Sequence, residues 1–201
     1  TRRQANFGLS YEWNEAAINV GGGFSRERDY HSSFGSIGGR LDFNQKLTSV
    51  KFGGGYTDSQ VSAILDPDSS PYITKTAYAQ QIVNRRGSEI LKGDRQDWVA
   101  NTGLTQILSK NALIDAGIGY THSSGFLENP YKATSVIFID PAELNKNVIK
   151  GDVRALIEQR PNIRNQIALS TKYIHYISPF NAAMHLGYRL SVDDWGVNTH
   201  T

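Results

Sequence analysis

Ala5-Asn6-Phe7-Gly8-Leu9-Ser10-Tyr11-Glu12-Trp13 places an apolar residue at every odd position and a polar or small one between. Successive side chains of an extended chain point to opposite sides, so this stretch has one apolar face and one wet face. Asn14-Glu15 then predicts a tight reversal, after which Ile18, Val20 and Phe24 alternate with Asn19, Gly21 and Ser25. Together the two runs read as a β-hairpin.

The same unit recurs three times. Ile37, Leu41 and Phe43, opposed by Ser36, Arg40 and Asp42, turn through Asn44 to Leu47 into Val50, Phe52 and Tyr56, opposed by Lys51, Gly53 and Thr57. Trp98, Ala100 and Leu104 alternate with Asp97, Asn101 and Thr105. They return through Ser109-Lys110-Asn111 as Ile114, Ala116, Ile118 and Tyr120 against Asp115, Gly117, Gly119 and Thr121. Ile167, Leu169 and Tyr173 turn at Ser178-Pro179-Phe180-Asn181 into Met184, Leu186 and Tyr188, opposite His185, Gly187 and Arg189. Eight strands in four hairpins are expected, and Trp195 to Thr201 reads as the start of a ninth.

Composition narrows the choice of solvent. The chain is 39% hydrophobic with a mean hydropathy of -0.42, and its longest apolar run is the four residues Val136 to Ile139. That excludes a transmembrane helix. A transmembrane β-barrel stays open, because only alternate residues of its strands face lipid. Nineteen glycines and ten tyrosines against one methionine favour sheet. With no cysteine there is no disulfide framework and no thiolate metal site. A net charge of +2 is too balanced to point to nucleic acid. No signal peptide precedes Thr1, so the chain reads as a mature product or as a piece of something longer.

A glycine followed by an aromatic closes every second strand, at Gly23-Phe24, Gly55-Tyr56, Gly119-Tyr120 and Gly187-Tyr188. Trp98 joins those four rings at one end, while Tyr11, Trp13, Phe43 and Tyr173 sit beside the short turns. Two aromatic belts flanking an apolar band are what a barrel in lipid requires. The connections alternate as well: turns within hairpins are short, whereas Asp58 to Asp94 and His122 to Asn165 are long. The expected fold is therefore all-β, a single antiparallel up-and-down transmembrane β-barrel over residues 1–201 whose long loops lie outside. The alternative is a soluble β-sandwich that packs these rings in its core. Within the loops, Val153, Leu156 and Ile157 predict a short helix from Asp152 to Arg160, stopped by Pro161. Val136 to Asp140 predicts a strand extension or a plug element, and Asp66-Pro67-Asp68 and Ser69-Ser70-Pro71 punctuate the first long loop.

The wet faces carry the acids Glu12, Asp42, Asp97 and Asp115 and the bases Arg40, Lys51, Lys172 and Arg189, together with His185. In a barrel these line the lumen. Four acids against four bases predict a wall braced by ion pairs or a weakly selective path, since a selective pore concentrates one sign. The five histidines show no metal-ligand spacing. His185, Ser191 and Asp193 supply the ingredients of a serine hydrolase, but one strand cannot fold them into a triad. Gly21 to Gly23 and Gly53 to Gly55 lack the lysine and helix of a phosphate loop, and in strands they mark close backbone approach. No catalytic residue, cofactor or metal is expected.

Six further segments carry a resemblance: Arg95-Gln96-Asp97-Trp98, Glu128-Asn129-Pro130-Tyr131-Lys132, Phe138-Ile139-Asp140-Pro141, Glu158-Gln159-Arg160-Pro161, His185-Leu186-Gly187-Tyr188-Arg189 and Asp193-Asp194-Trp195-Gly196. Over nearly its whole length the chain resembles a Gram-negative outer-membrane β-barrel family catalogued only as a domain of unknown function. The resemblance implies the later, C-terminal part of a larger barrel, in contact with outer-membrane lipid. It also implies a neighbourhood of envelope lipoproteins and redox proteins as partners. The function expected is passage of small solutes or a surface scaffold for an envelope complex. A barrel enzyme acting on lipid or cell-wall substrates is the alternative.

Overall fold

The computed structural model describes residues 2–65, 82–85, 87–129, 131, 133–139, 151–157 and 160–201. Eight long strands account for most of them: β1 (Arg3–Glu12), β2 (Ala16–Arg26), β3 (Tyr30–Phe43), β4 (Thr48–Ile64), β6 (Ser88–Ser109), β7 (Ala112–Gly125), β10 (Ile163–Ile177) and β11 (Ala182–Asp193). The short strands are β5 (Ile82–Arg85), β8 (Ala133–Ile139), β9 (Gly151–Ile157) and β12 (Asn198–His200). One antiparallel sheet runs in the order β1-β2-β3-β4-β6-β7-β10-β11-β12, with β5 added beside β6, while β8 and β9 pair separately. The four expected hairpins and the ninth strand are all present.

Local chemistry sets each reversal. Trp13 N–H reaches Ala16 C=O at 2.7 Å and closes the first turn. Asn44, Gln45 and Lys46 take three consecutive left-handed conformations, with φ of 50°, 57° and 68°. Ser178–Phe180 forms one 3-10 turn that ends on Asn181 in the left-handed region, a conformation asparagine tolerates better than most residues. A register shift between Ile107 and Ser109 lets β6 run into its short turn.

The sheet is all-β and antiparallel as expected, but it is open. Among the described residues β1 pairs only with β2, and β12 only with β11. Among the described residues no second layer covers it either: the elements in substantial contact are hydrogen-bonded ladder neighbours. The small buried cluster of Leu65, Leu91 and Phe126, with Val61 and Ile82 against it, lies at one end of the β4–β6 ladder.

Two expectations about the long connections change. Strand β4 continues past Asp58 to Ile64 and β6 begins at Ser88, so the pairing extends to Ile64 opposite Ile90. The interval from Asp58 to Asp94 thus has ladder at both of its ends, and Asp66-Pro67-Asp68 and Ser69-Ser70-Pro71 fall outside the described residues. The segment expected to be helical is strand β9, running antiparallel to β8 from Gly151 opposite Ile139 to Ile157 opposite Ala133. A helix of so few residues is marginal on its own, whereas a neighbouring strand offers a backbone partner at every second residue. Val136 to Asp140, expected as a strand extension or a plug element, lies as far as Ile139 in strand β8, which pairs with β9 apart from the main sheet, and Asp140 falls outside the described residues.

Candidate functional site: the polar face of the sheet

Because side chains alternate, register decides which residues share a face. One hydrogen-bonded row runs Glu12, Ala17, Arg40, Lys51, Gly103, Gly117, Ser170, Arg189 across all eight long strands. The next row on the same face runs Asp42, Ser49, Thr105, Asp115, Lys172, Gly187. Asp97 and His185 have the same parity, so all nine polar residues singled out from the sequence lie on one face.

On that face Arg40 is the central cation of a three-strand knot. Its Nη2 donates to Glu12 Oε1 at 2.5 Å and its Nε to Asp42 Oδ2 at 3.1 Å, while Ser49 Oγ donates to Asp42 Oδ1 at 2.6 Å. Asp115 accepts from Thr105 Oγ1 at 2.6 Å, stands 3.9 Å from Lys51 Nζ and lies directly opposite Lys172. Further along the strands Arg95 grips Asp97 through Nε and Nη2 at 2.8 to 3.1 Å, and Ser123 Oγ adds a donor to the same carboxylate. Arg164 does the same for Asp193 at 2.8 and 2.5 Å. Asp193 also accepts from the backbone N–H groups of Trp195 and Val197, at 3.1 and 2.8 Å, and so turns the chain into β12. Arg40-Leu41-Asp42 and Arg95-Gln96-Asp97 share a spacing that sequence alone offers. Residues two apart on a strand point the same way, so each pair was predisposed to meet. Arg164, Ser49, Thr105 and Ser123 carried no such signal, because their partners come from other strands.

The hydrolase constellation does not assemble. His185 and Ser191 are on one strand six residues apart, a rise of roughly 20 Å. Asp193 is committed to Arg164 and the following turn.

The opposite face is apolar on every long strand and is not covered by any of the described residues. Phe7 is 66% exposed, Leu9 75%, Ile37 54%, Ile118 47% and Leu186 57%. The rings of both belts occupy this face, with Trp13 just beyond the end of β1. Tyr56 and Trp98 stand directly opposite each other with centroids 4.4 Å apart, and Tyr11 meets Trp13 edge-on at 4.6 Å. Several rings lie over glycines of the adjacent strand: Phe52 covers Gly39, and Phe7 covers Gly22. A ring laid on a glycine restores the contact its missing side chain forgoes.

The ring line is oblique to the rows. Phe24 shares a row with Asp58 of β4, Tyr56 with Trp98, Tyr120 with Gly54, and Tyr188 with Val50, eight residues lower along β4 after six ladders. Beyond the rings the same face turns polar, and the onset descends in the same sense. Arg26 shares a row with Gln60, Asp58 with Gln96, and His122 with Asn165 and Asp194, a row that meets Tyr56 on β4. There Tyr120 Oη donates to Asn165 Oδ1 at 2.7 Å, and Asn165 Nδ2 donates to Asp194 Oδ2 at 2.7 Å.

Beyond β7 the chain crosses toward other strands. Phe126 N–H bonds Asp94 C=O at 2.7 Å and its ring lies on Gly93, where a Cβ would come within 2.3 Å. Tyr131 Oη then donates to the carboxylate of Asp29, in the turn between β2 and β3. Burial first, and the neighbouring carboxylate second, push the Tyr131 phenol up to about 12.

These elements define an all-β protein built on a two-faced antiparallel sheet, polar and glycine-rich on one side and apolar on the other. The chain belongs to the protein family of unknown function DUF3570, whose model matches residues 1–201. A search of curated proteins finds no match.

Proposed function

We propose that the sheet is part of the wall of a transmembrane β-barrel in the outer membrane of a Gram-negative bacterium, and that its polar face lines a path for small solutes. The observation that carries this is the uncovered apolar face, bounded by aromatic rings and then by polar residues on the same strands. In water such a continuous patch invites association, whereas in a bilayer it is the surface that meets hydrocarbon. The oblique ring line supports the same reading. With about 3.3 Å per residue and about 4.8 Å between strands, the descent of the polar onset and of the rings corresponds to a strand tilt of roughly 25° to 40°, overlapping the tilt that barrels adopt. Gly21, Gly23, Gly53, Gly55, Gly103, Gly117, Gly119 and Gly187 share the polar face. So many absent side chains favour a hollow interior over a packed one.

The full-length protein tests this directly. It is expected in the outer-membrane fraction, resistant to urea extraction, with Trp98 fluorescence quenched by brominated lipid and with stepwise conductance in planar bilayers. Recovery in the aqueous fraction with Trp98 unquenched would sink the membrane assignment. Quenching without conductance would turn the wall into a surface scaffold.

A further inference from the structure

The acids of the polar face are not shared evenly among its bases. Glu12 and Asp42 both bind Arg40. Asp115 lies between Lys51, 3.9 Å away, and Lys172, opposite it on the next strand. Asp97 belongs to Arg95, at the other end of the ladder. That leaves Arg189 of β11. Its neighbours are Ser170 directly and Lys172 diagonally on the β10 side and Thr201 on the β12 side, and among the described residues it has no ion-pair partner. The nearest carboxylate on its own strand, Asp193, is held by Arg164.

Beside this arginine the face is hollowed. Gly117 and Gly119 floor a depression of about 340 Å³ that Asn101 and Ser170 flank and Arg189 borders. A guanidinium fork and a hydroxyl over a floor without side chains form a donor set for a planar or tetrahedral oxyanion. The nearest acid on the adjoining strands, Asp115, lies one row away on β7, between Lys51 and Lys172.

We propose that Arg189, with Ser170, is a binding place for small oxyanions, carboxylate or phosphate, and that it biases the path toward anions. The inference rests on the conduit reading and assigns that conduit its solute class. Segregation strengthens it: across the two charged rows β1 and β3 carry Glu12 and Asp42 against Arg40, whereas β4 to β11 carry Lys51, Lys172 and Arg189 against Asp115. A passing anion is drawn to the β10–β11 side of the lumen, where the excess charge stands.

The test is reversal-potential measurement on the full-length protein in planar bilayers across a KCl gradient, with inorganic phosphate or acetate then added as blockers. The wild type should prefer chloride to potassium. R189Q should lower that permeability ratio about fivefold, the effect of removing one unit charge about 4 Å from an ion in water. R189K should keep the ratio but lose the block by phosphate, because an ammonium is a point charge without the fork. Block by phosphate alone would name phosphorylated solutes, and block by acetate as well would add carboxylates. A conducting channel whose ratio and block are the same in R189Q would overturn the anion site and leave the conduit standing. Absence of any wild-type conductance would overturn the conduit, and the site with it.

Discussion

The lower parts of β4 and β6, from Val50 to Tyr56 and from Trp98 to Leu104, and the upper ends of the same two strands carry their apolar side chains on opposite faces. Along β4, Val50, Phe52 and Tyr56 share a face with Asp58, Gln60 and Ser62, and Lys51 and Thr57 share the other with Val61, Ala63 and Leu65. Polarity therefore exchanges faces at the row of Asp58 and Gln96. Below that row the apolar side chains are the exposed ones; above it Ala63, Leu65 and Leu91 are buried and Gln60 is exposed. Backbone geometry does not change at this point, since the ladder runs on without a shift. On the proposed membrane reading, what changes is the medium that each face satisfies, and a strand that crosses from one medium into another would record the crossing in its sequence.

The sharpest way to break this contrast is to place one charge on either side of the exchange row, on the same strand and face. Phe52→Arg, midway between the turn and Tyr56, should destabilise the folded protein in phospholipid by about 2–4 kcal/mol in a urea titration. Gln60→Arg should stay within about 0.5 kcal/mol. Equal costs at the two positions would mean that both meet the same solvent.

Leu91→Ala probes the other side. Leu91 is 1% exposed in the small cluster, and its truncation should cost about 2–3 kcal/mol, the low end for such a change because so small a cluster can collapse. Hydrogen exchange should rise in β5 and the upper part of β6 while Trp98 and its neighbours stay protected. Uniform loss of protection would show that the two regions unfold as one.

A smaller effect is expected at the link between the crossing segment and the β2–β3 turn. The Tyr131 phenol should titrate near 12 by absorbance, against about 10 in the unfolded chain. Its folded pKa is the raised one, so the stability it lends is complete below pH 10 and is lost as pH rises from about 10 to 12. Tyr131→Phe should cost about 1 kcal/mol and remove that window. The least change belongs to the second short turn. Gln45→Gly should stabilise by about 0.5 kcal/mol in a denaturant titration, because relief of the left-handed penalty slightly exceeds the extra unfolded entropy of glycine.

Period-2 alternation made the strands legible wherever one solvent faced one side throughout. Phe7, Leu9 and Tyr11 against Gly8, Ser10 and Glu12 could be assigned to faces from sequence alone, and the register agrees for every belt and polar residue. The same rule failed above Asp58, where Val61, Ala63 and Leu65 take the parity that polar residues held below. Read from one end, β4 stops there; its continuation is visible only when both faces are allowed to change together. The helix expected from Val153, Leu156 and Ile157 failed for another reason, since spacing within seven residues cannot reveal that β8 lies alongside. In the candidate site, the count of four acids and four bases was legible but its distribution was not. That Arg40 takes two carboxylates and Arg189 none depends on which strands are neighbours.

Gly23 carries a last consequence. A methyl group there would stand 2.4 Å from the carbonyl oxygen of Ala5 and 2.9 Å from Cα of Asn6, main-chain atoms that cannot swing aside. Among the described residues strand β1 pairs along one flank only, with β2, so it is the partner that must give way. Gly23→Ala thus becomes a one-carbon wedge driven into the β1–β2 seam, leaving the other ladders zipped.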